Sequence, residues 1–314
     1  MRNLFKGALL ALCSAAALMG GSALAQYPSK PVTFIVPWPP GDLEDVLTRM
    51  IADDFQKAYG KPAAVLNKPG GGGGPFPGAA EVTKAPPDGS TIGSFVIDIP
   101  LMAHKVGIAE LNPNPFEAVG IFLTYPFVIA VGEKAPYKTM QELASYAKTH
   151  KVALGHFGAE SPPTKVTLAL AKKLGFKYAS DTAFDALDCN TLASGDVDVI
   201  NTTIQLIMPC LGKIKVLAVV TEERLKLAPK APTVKELAPE LGLALWNGLF
   251  VTKGTPADVR EKIAKVAKAT IASAKARKFA EDTGAQIYWQ DAATAKARIA
   301  RDAKTMETVE ASLK

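Results

Sequence analysis

Val32-Thr33-Phe34-Ile35-Val36-Pro37-Trp38-Pro39-Pro40-Gly41 is the stretch that decides the fold. Its first five residues form a nearly unbroken apolar run, the pattern of a strand buried on both faces of a parallel sheet. The prolines and glycine that follow end the strand abruptly. Beyond them Leu47, Ile51, Phe55 and Tyr59 recur every fourth residue, so a helix follows and lays one apolar stripe on the sheet.

Working outward, the alternation continues. Strands are expected at 64–67, 91–96, 152–155, 197–201, 215–220 and 249–252. Helices are expected at 78–84, 140–149, 164–174 and 184–193, with a last long helix carrying Val259, Ile263, Val266 and Thr270 on one face. Such alternation predicts α/β architecture. Toward the N-terminus, Arg2 and Lys6 precede an apolar stretch from Gly7 to Met19, and Ala23-Leu24-Ala25 supplies a small-x-small cleavage pattern. Residues 1–25 therefore read as a signal peptide, too short in its apolar part to span a bilayer, which makes the chain periplasmic. Removing them lowers the net formal charge from +6 to +4. The remaining basic residues are scattered through helices, a pattern that argues against nucleic-acid binding. Cys189 and Cys210 survive cleavage, and an oxidising compartment permits a disulfide if their geometry allows one.

Several motifs of reactive chemistry are absent or incomplete. Gly70 to Gly74 lacks the Gly-Lys-Ser/Thr of a phosphate loop, and Pro75-Phe76-Pro77 interrupts the helix start such a site needs. Ser145-Tyr146-Ala147-Lys148 stands without the companion motifs of penicillin-binding enzymes. His104, His150 and His156 show no metal-ligand spacing, and no Gly-x-Ser-x-Gly elbow is present. The expectation is a non-enzymatic protein with no cofactor.

Several blocks together resemble the Bug family, the TctC-like extracytoplasmic solute receptors of tripartite tricarboxylate transporters. They are Tyr27-Pro28-Ser29-Lys30-Pro31-Val32, Pro37 to Gly41 with Asp45 after it, Asn67-Lys68-Pro69-Gly70, and Lys84-Ala85-Pro86-Pro87-Asp88-Gly89. Further along come Pro136-Tyr137-Lys138-Thr139, Ser161-Pro162-Pro163, Gly195-Asp196-Val197-Asp198, Ala231-Pro232-Thr233-Val234, and Trp246 through Gly254-Thr255-Pro256. The resemblance implies a type II periplasmic-binding-protein fold, two lobes closing on a ligand by hinge motion. One lobe would hold 26–125 and 247–314, the other 126–246. The implied partners are a small organic solute, expected to carry a carboxylate, and membrane transporter subunits, with the receptor itself a monomer. A ligand-dependent signalling receptor would present the same cleft.

Ligands of open α/β sheets sit outside the carboxyl ends of strands, where helix N-termini present free N–H groups. That places Trp38, Pro39, Pro40, Gly41 and Asp42, with Asp45, on one side of the expected cleft. His156, Phe157, Gly158, Ala159, Glu160 and Ser161, with Thr164 in the helix that follows, form the other side. Ser161 is an expected N-cap with Pro162 or Pro163 in the first turn. Asp98, Asp181, Asp185, Asn201 and Thr202 also lie at strand ends. Asp42 and Glu160 stand where the family usually has glycine, and Asp98, Asp181 and Asp185 add further acids. Three readings of this acidity are open: helix capping, selection of an amine-bearing or cationic solute, and a metal-bridged carboxylate.

Overall fold

The computed structural model describes residues 27–70, 74–184 and 186–314. The signal-peptide reading of 1–25, the glycines at 71–73 and Asp185 lie outside these residues. The order is β1 (Val32–Val36), α1 (Leu43–Tyr59), β2 (Ala63–Asn67), α2 (Phe76–Thr83), β3 (Thr91–Val96), α3 (Asp98–Met102), β4 (Phe116–Thr124) and β5 (Phe127–Gly132). Then come α4 (Met140–Tyr146), β6 (Ala153–His156), α5 (Pro162–Lys173), β7 (Ser180–Ala183), α6 (Cys189–Ser194), β8 (Val199–Thr203), α7 (Ile204–Ile207) and β9 (Ile214–Val219). The chain finishes with α8 (Val234–Leu237), β10 (Trp246–Thr252), α9 (Ala257–Ile271), α10 (Ala274–Thr283), β11 (Gln286–Asp291) and α11 (Ala292–Leu313).

The strands form two sheets and the molecule two lobes. One sheet has six strands in the order β11-β4-β10-β3-β1-β2, the other five in the order β7-β6-β8-β5-β9. In the first, β1 lies parallel between β2 and β3, and β10 runs antiparallel between β3 and β4. Phe34, Leu47, Ile51, Phe55 and Ile92 are buried together beneath α1, as the four-residue spacing of that helix requires. Gly60 ends α1 at φ 64°, a left-handed cap that only glycine adopts without strain, and its N–H reaches the Gln56 carbonyl.

The helix expected at 184–193 is shorter in the structure. Its first turn starts only at Cys189, because the Asp188 side chain accepts from the N–H groups of Asn190 and Thr191 and caps the helix there. The residues just before it instead lead out of the edge strand β7. Cys189 and Cys210 are disulfide-bonded, tying α6 to the turn after α7.

Two crossings join the lobes. The first is Tyr125-Pro126, between β4 and β5; the second runs from the end of β9 to β10. They lie side by side, since the Tyr125 N–H donates to the Leu245 carbonyl at 2.9 Å and the Ile97 N–H to the Trp246 carbonyl at 3.0 Å. The C-terminal helix α11 packs across both lobes, against α5 on one side and β4 on the other. Its Glu310 bonds Lys105 of the first lobe at 2.6 Å and Lys165 of the second at 3.3 Å.

Candidate functional site

The carboxyl ends of β1 and β3 carry the first wall of the cleft. The Pro37 to Gly41 loop is held by Asp45 from the first turn of α1. Asp45 accepts from the Gly41 N–H at 2.9 Å, from Arg49 through both oxygens at 2.9 and 3.0 Å, and from the Asn67 amide at 2.8 Å. Asn67 in turn donates to the Trp38 carbonyl at 3.0 Å. Burial works against the Asp45 charge, but these donors outweigh it and hold its carboxyl below the ordinary value. All its lone pairs are thus committed to the loop, so Asp45 shapes the wall and leaves ligand contact to others. Gly41 turns at φ 96°, which requires glycine. Pro39 and Pro40 are exposed at the rim, while Trp38 is half-buried with its Nε1 enclosed and unpaired among the described residues.

Three carboxyl groups face this wall with little to neutralise them. Asp42 occupies the N-cap position of α1, yet its side chain makes no cap hydrogen bond. The capping reading therefore fails for Asp42. Its carboxyl is pushed up by burial and by the neighbouring charge of Asp45. Glu44 is only 2% exposed, and its carboxyl accepts from the Tyr125 hydroxyl at 2.8 Å. Burial first, then the Asp42 charge, push Glu44 up to about 8. Asp98 opens α3 at 6% exposure with no side-chain partner among the described residues, and burial pushes it up to about 7. The three share one environment: after burial, the charges of Glu44, Asp42 and Asp98 each raise the Tyr125 hydroxyl, well above its ordinary value. Tyr125 is itself the first crossing residue, so Glu44 is tied to the link between the two sheets.

The second wall comes from the ends of β6 and β8. His156 is buried and engaged at both nitrogens: Nδ1 accepts from the Gly158 N–H at 3.0 Å, and Nε2 donates to Asp181 at 2.9 Å. That pattern fixes the tautomer and makes His156 a brace for its own turn, with Asp181 on the exposed edge strand as its anchor. Phe157 packs edge-to-face on Phe127 at 6.2 Å. Gly158 lies at φ 153°, and Ala159 and Glu160 are exposed. Glu160, 84% exposed, pairs with Lys165 at 2.7 Å rather than pointing its charge at a ligand. Ser161 is the N-cap residue of α5 with proline in the first turn, but its side chain makes no cap bond. Thr202 turns away from this wall and donates to the Leu187 carbonyl at 2.7 Å. Asp185 lies outside the described residues.

Thr164 and Asn201 differ from all of these. Both are fully buried, and neither the Thr164 hydroxyl nor either amide atom of Asn201 has a partner among the described residues. Thr164 sits in the first turn of α5, whose free N–H groups and positive dipole end look outward from β6; Asn201 sits on the adjacent β8. Unmatched buried polar atoms are costly, roughly 1–3 kcal/mol each. A shallow depression at the far end of α5, bordered by Lys172, Phe176, Tyr178 and Leu313, contains none of Trp38, Asp42, Asp98, Thr164 and Asn201.

Of the residues expected at the site, Asp45, His156, Glu160, Asp181 and Thr202 are committed to internal bonds, whereas Trp38, Thr164 and Asn201 keep unmatched buried polar atoms among the described residues. Glu44 and Tyr125 were not expected from sequence. Among the described residues no three His, Cys, Asp or Glu side chains group as metal ligands, and no helix is long and apolar enough to cross a membrane.

Comparison with known proteins agrees with this architecture. The chain is 30% identical over 252 residues to a UPF0065 protein of Bordetella bronchiseptica, covering 77% of this chain and 74% of that one. Protein BugT of Bordetella pertussis is 26% identical over 245 residues, 73% of this chain and 72% of its own. A TctC solute-binding protein from Polaromonas superposes with TM-score 0.73 at 27% identity, over 90% of this chain and 98% of that one. MatC of Rhodopseudomonas palustris, solved with bound malate, shares the fold at TM-score 0.74 and 24% identity, over 90% and 99% of the two chains. The Polaromonas protein is described as a solute-binding protein. Residues 47–310 match the family model described as the tripartite tricarboxylate transporter family receptor, and the chain belongs to that family.

Proposed function

We propose that this receptor captures a small organic solute between its two lobes and hands it to the membrane subunits of a tripartite tricarboxylate-type transporter. What supports this reading is the family match over residues 47–310, together with the fully buried, unmatched polar groups of Thr164 and Asn201 in the second lobe. A solute lying between the walls would satisfy them from the other side, so the lobes gain free energy by closing around it. In this reading residues 1–25 are a signal peptide and the mature chain works in the periplasm as a monomer. The lobes are 26–125 with 247–314, and 126–246, turning about Tyr125 and Leu245. The bound malate of MatC and the adipate of a second Rhodopseudomonas palustris neighbour support a ligand of a few carbon atoms.

Mass spectrometry of solute released from protein purified from its native periplasm identifies the ligand. Deleting the gene is then expected to abolish uptake of that solute by intact cells. Unchanged uptake in the deletion strain overturns the transport reading, and turnover of the bound solute overturns the receptor reading.

A further inference from the structure

Resting on the receptor reading, we infer that Lys105, Glu310 and Lys165 form an ionic latch between the two lobes, and that this latch sets the angle at which the free receptor holds its cleft. The three residues come from distant parts of the chain. Lys105 closes the short turn after α3 in the first lobe, and Lys165 lies in the first turn of α5 in the second. Glu310 lies in the last turn of α11, which follows β11 of the six-stranded sheet. Its carboxylate is shared between the lobes: Oε2 accepts from Lys105 at 2.6 Å and Oε1 from Lys165 at 3.3 Å. Lys165 also reaches Glu160, in the loop before α5, at 2.7 Å. One chain of ions thus runs from that loop through α5 and α11 to the first lobe.

The middle of α11 is fixed at the second crossing. Asp302 accepts from Nε1 of Trp246, the crossing residue, at 2.8 Å. Arg298 and Arg301 both reach Glu222, on the segment leading from β9 to that crossing, at 3.1 Å. Glu310 stands about 12 Å farther along the helix at about 1.5 Å per residue. A rigid-body rotation of about 15° at the crossing displaces a point that far out by up to about 3 Å. The contacts around Asp302 hardly move in such a rotation, whereas the contact of Glu310 with Lys165 is made or broken by it.

Apolar packing along α11 does not select an angle by itself. Beyond Asp302 the buried stripe of the helix is Met306 and Val309. Burial of such side chains is non-directional, and packed helices slide past one another by small shears. A carboxylate held between two ammonium groups has a definite geometry. Fully exposed ion pairs contribute little, but this one is partly dry, with the Lys165 side chain 12% and that of Glu310 23% exposed. Burial opposes the Glu310 charge, yet Lys105 and Lys165 hold its carboxyl below the ordinary value. Among the described residues Lys105 has no second carboxylate, while Lys165 keeps Glu160 within its own lobe. Neutralising Glu310 therefore cuts the link between the lobes and leaves the bond inside the second lobe in place.

The test is the distance between the lobes, read by double electron–electron resonance on the whole mature protein without any added solute. Spin labels are attached through Ala58→Cys on α1 and Ser145→Cys on α4, two exposed positions; Cys189 and Cys210 are bonded to each other and take no label. Glu310→Gln is expected to broaden the distance distribution and to shift its mean by about 3 Å. Lys105→Met is expected to give the same shift, and to add nothing to it in the Glu310→Gln background. Glu307→Gln, the same neutralisation at an exposed position of α11, is expected to leave the distribution as in wild type. An unchanged distribution in Glu310→Gln overturns the inference, also where the Tm falls, since Glu310 then supports the fold alone. An equal shift in Glu307→Gln overturns it as well. Uptake by the deletion strain decides the receptor reading separately, so the two fail independently.

Discussion

Asn201→Leu separates a binding residue from a structural one more sharply than any other change in this cleft. Asn201 is fully buried on β8, opposite Ile129 in the register with β5 and two residues from the buried Val199. Its oxygen and nitrogen have no partner among the described residues. In the ligand-free protein this amide is a cost of roughly 1–3 kcal/mol, and leucine of similar size removes that cost while adding apolar contact. The ligand-free substituted protein is therefore expected to be more stable by about 1–2 kcal/mol, which raises its Tm by about 2–4 °C in a chain of this size. Two lost hydrogen bonds to the solute are expected to weaken binding about 10- to 100-fold. Differential scanning calorimetry on dialysed protein, with and without the solute identified by mass spectrometry, reads both effects. A fall in the ligand-free Tm, or an affinity that does not change, refutes the assignment.

Two further outcomes follow from the other wall. The folded Glu44 carboxyl, at about 8, lies above its ordinary 4.5, so between these values the folded chain binds more protons than the unfolded one. Stability should therefore decline as pH rises through that window, at a limiting slope of about 1.4 kcal/mol per pH unit, and Glu44→Gln should flatten the decline in urea titrations; a profile unchanged by the substitution removes Glu44 from the buried acids. Asp45→Ala strips the Gly41 N–H, Arg49 and Asn67 of their shared acceptor, and is expected to cost about 2–4 kcal/mol by denaturant unfolding and to abolish solute binding through collapse of the loop. Retained binding with only a stability loss would show that the loop holds its shape without Asp45.

Much of this architecture is legible in the chain. The buried run of β1, its proline stop and the stripe of α1 are local patterns, and parallel sheets place their ligands at strand ends. The α/β class and the order of β1, its loop and α1 were accordingly read from sequence. What stayed hidden depends on contacts between distant residues. Glu44 reads as an acid in the first turn of a helix, where it favours the dipole; only Tyr125, 81 residues away, supplies the partner that goes with its burial. Strands β4 and β5 were not among the expected strands, and only the lobe boundary implied by the family resemblance falls between them. His156 and Asp181 sit at strand ends as a ligand set does, yet their pairing across β6 and β7 uses up the imidazole. Composition could not distinguish acids that bind from acids that brace; the partners of each side chain do.

The three tryptophans stand in three different places. Trp246 is fully buried at the second crossing with its Nε1 bonded to Asp302 at 2.8 Å, and Trp289 lies against Gly120 on the edge strand β11. Trp38, in the loop after β1, is half-buried with its N–H enclosed and unmatched among the described residues. In the proposed receptor reading it is the reporter fluorophore, over a background of the other two. Occupancy of the cleft should register as a change in the intensity and colour of Trp38 emission, with no label attached.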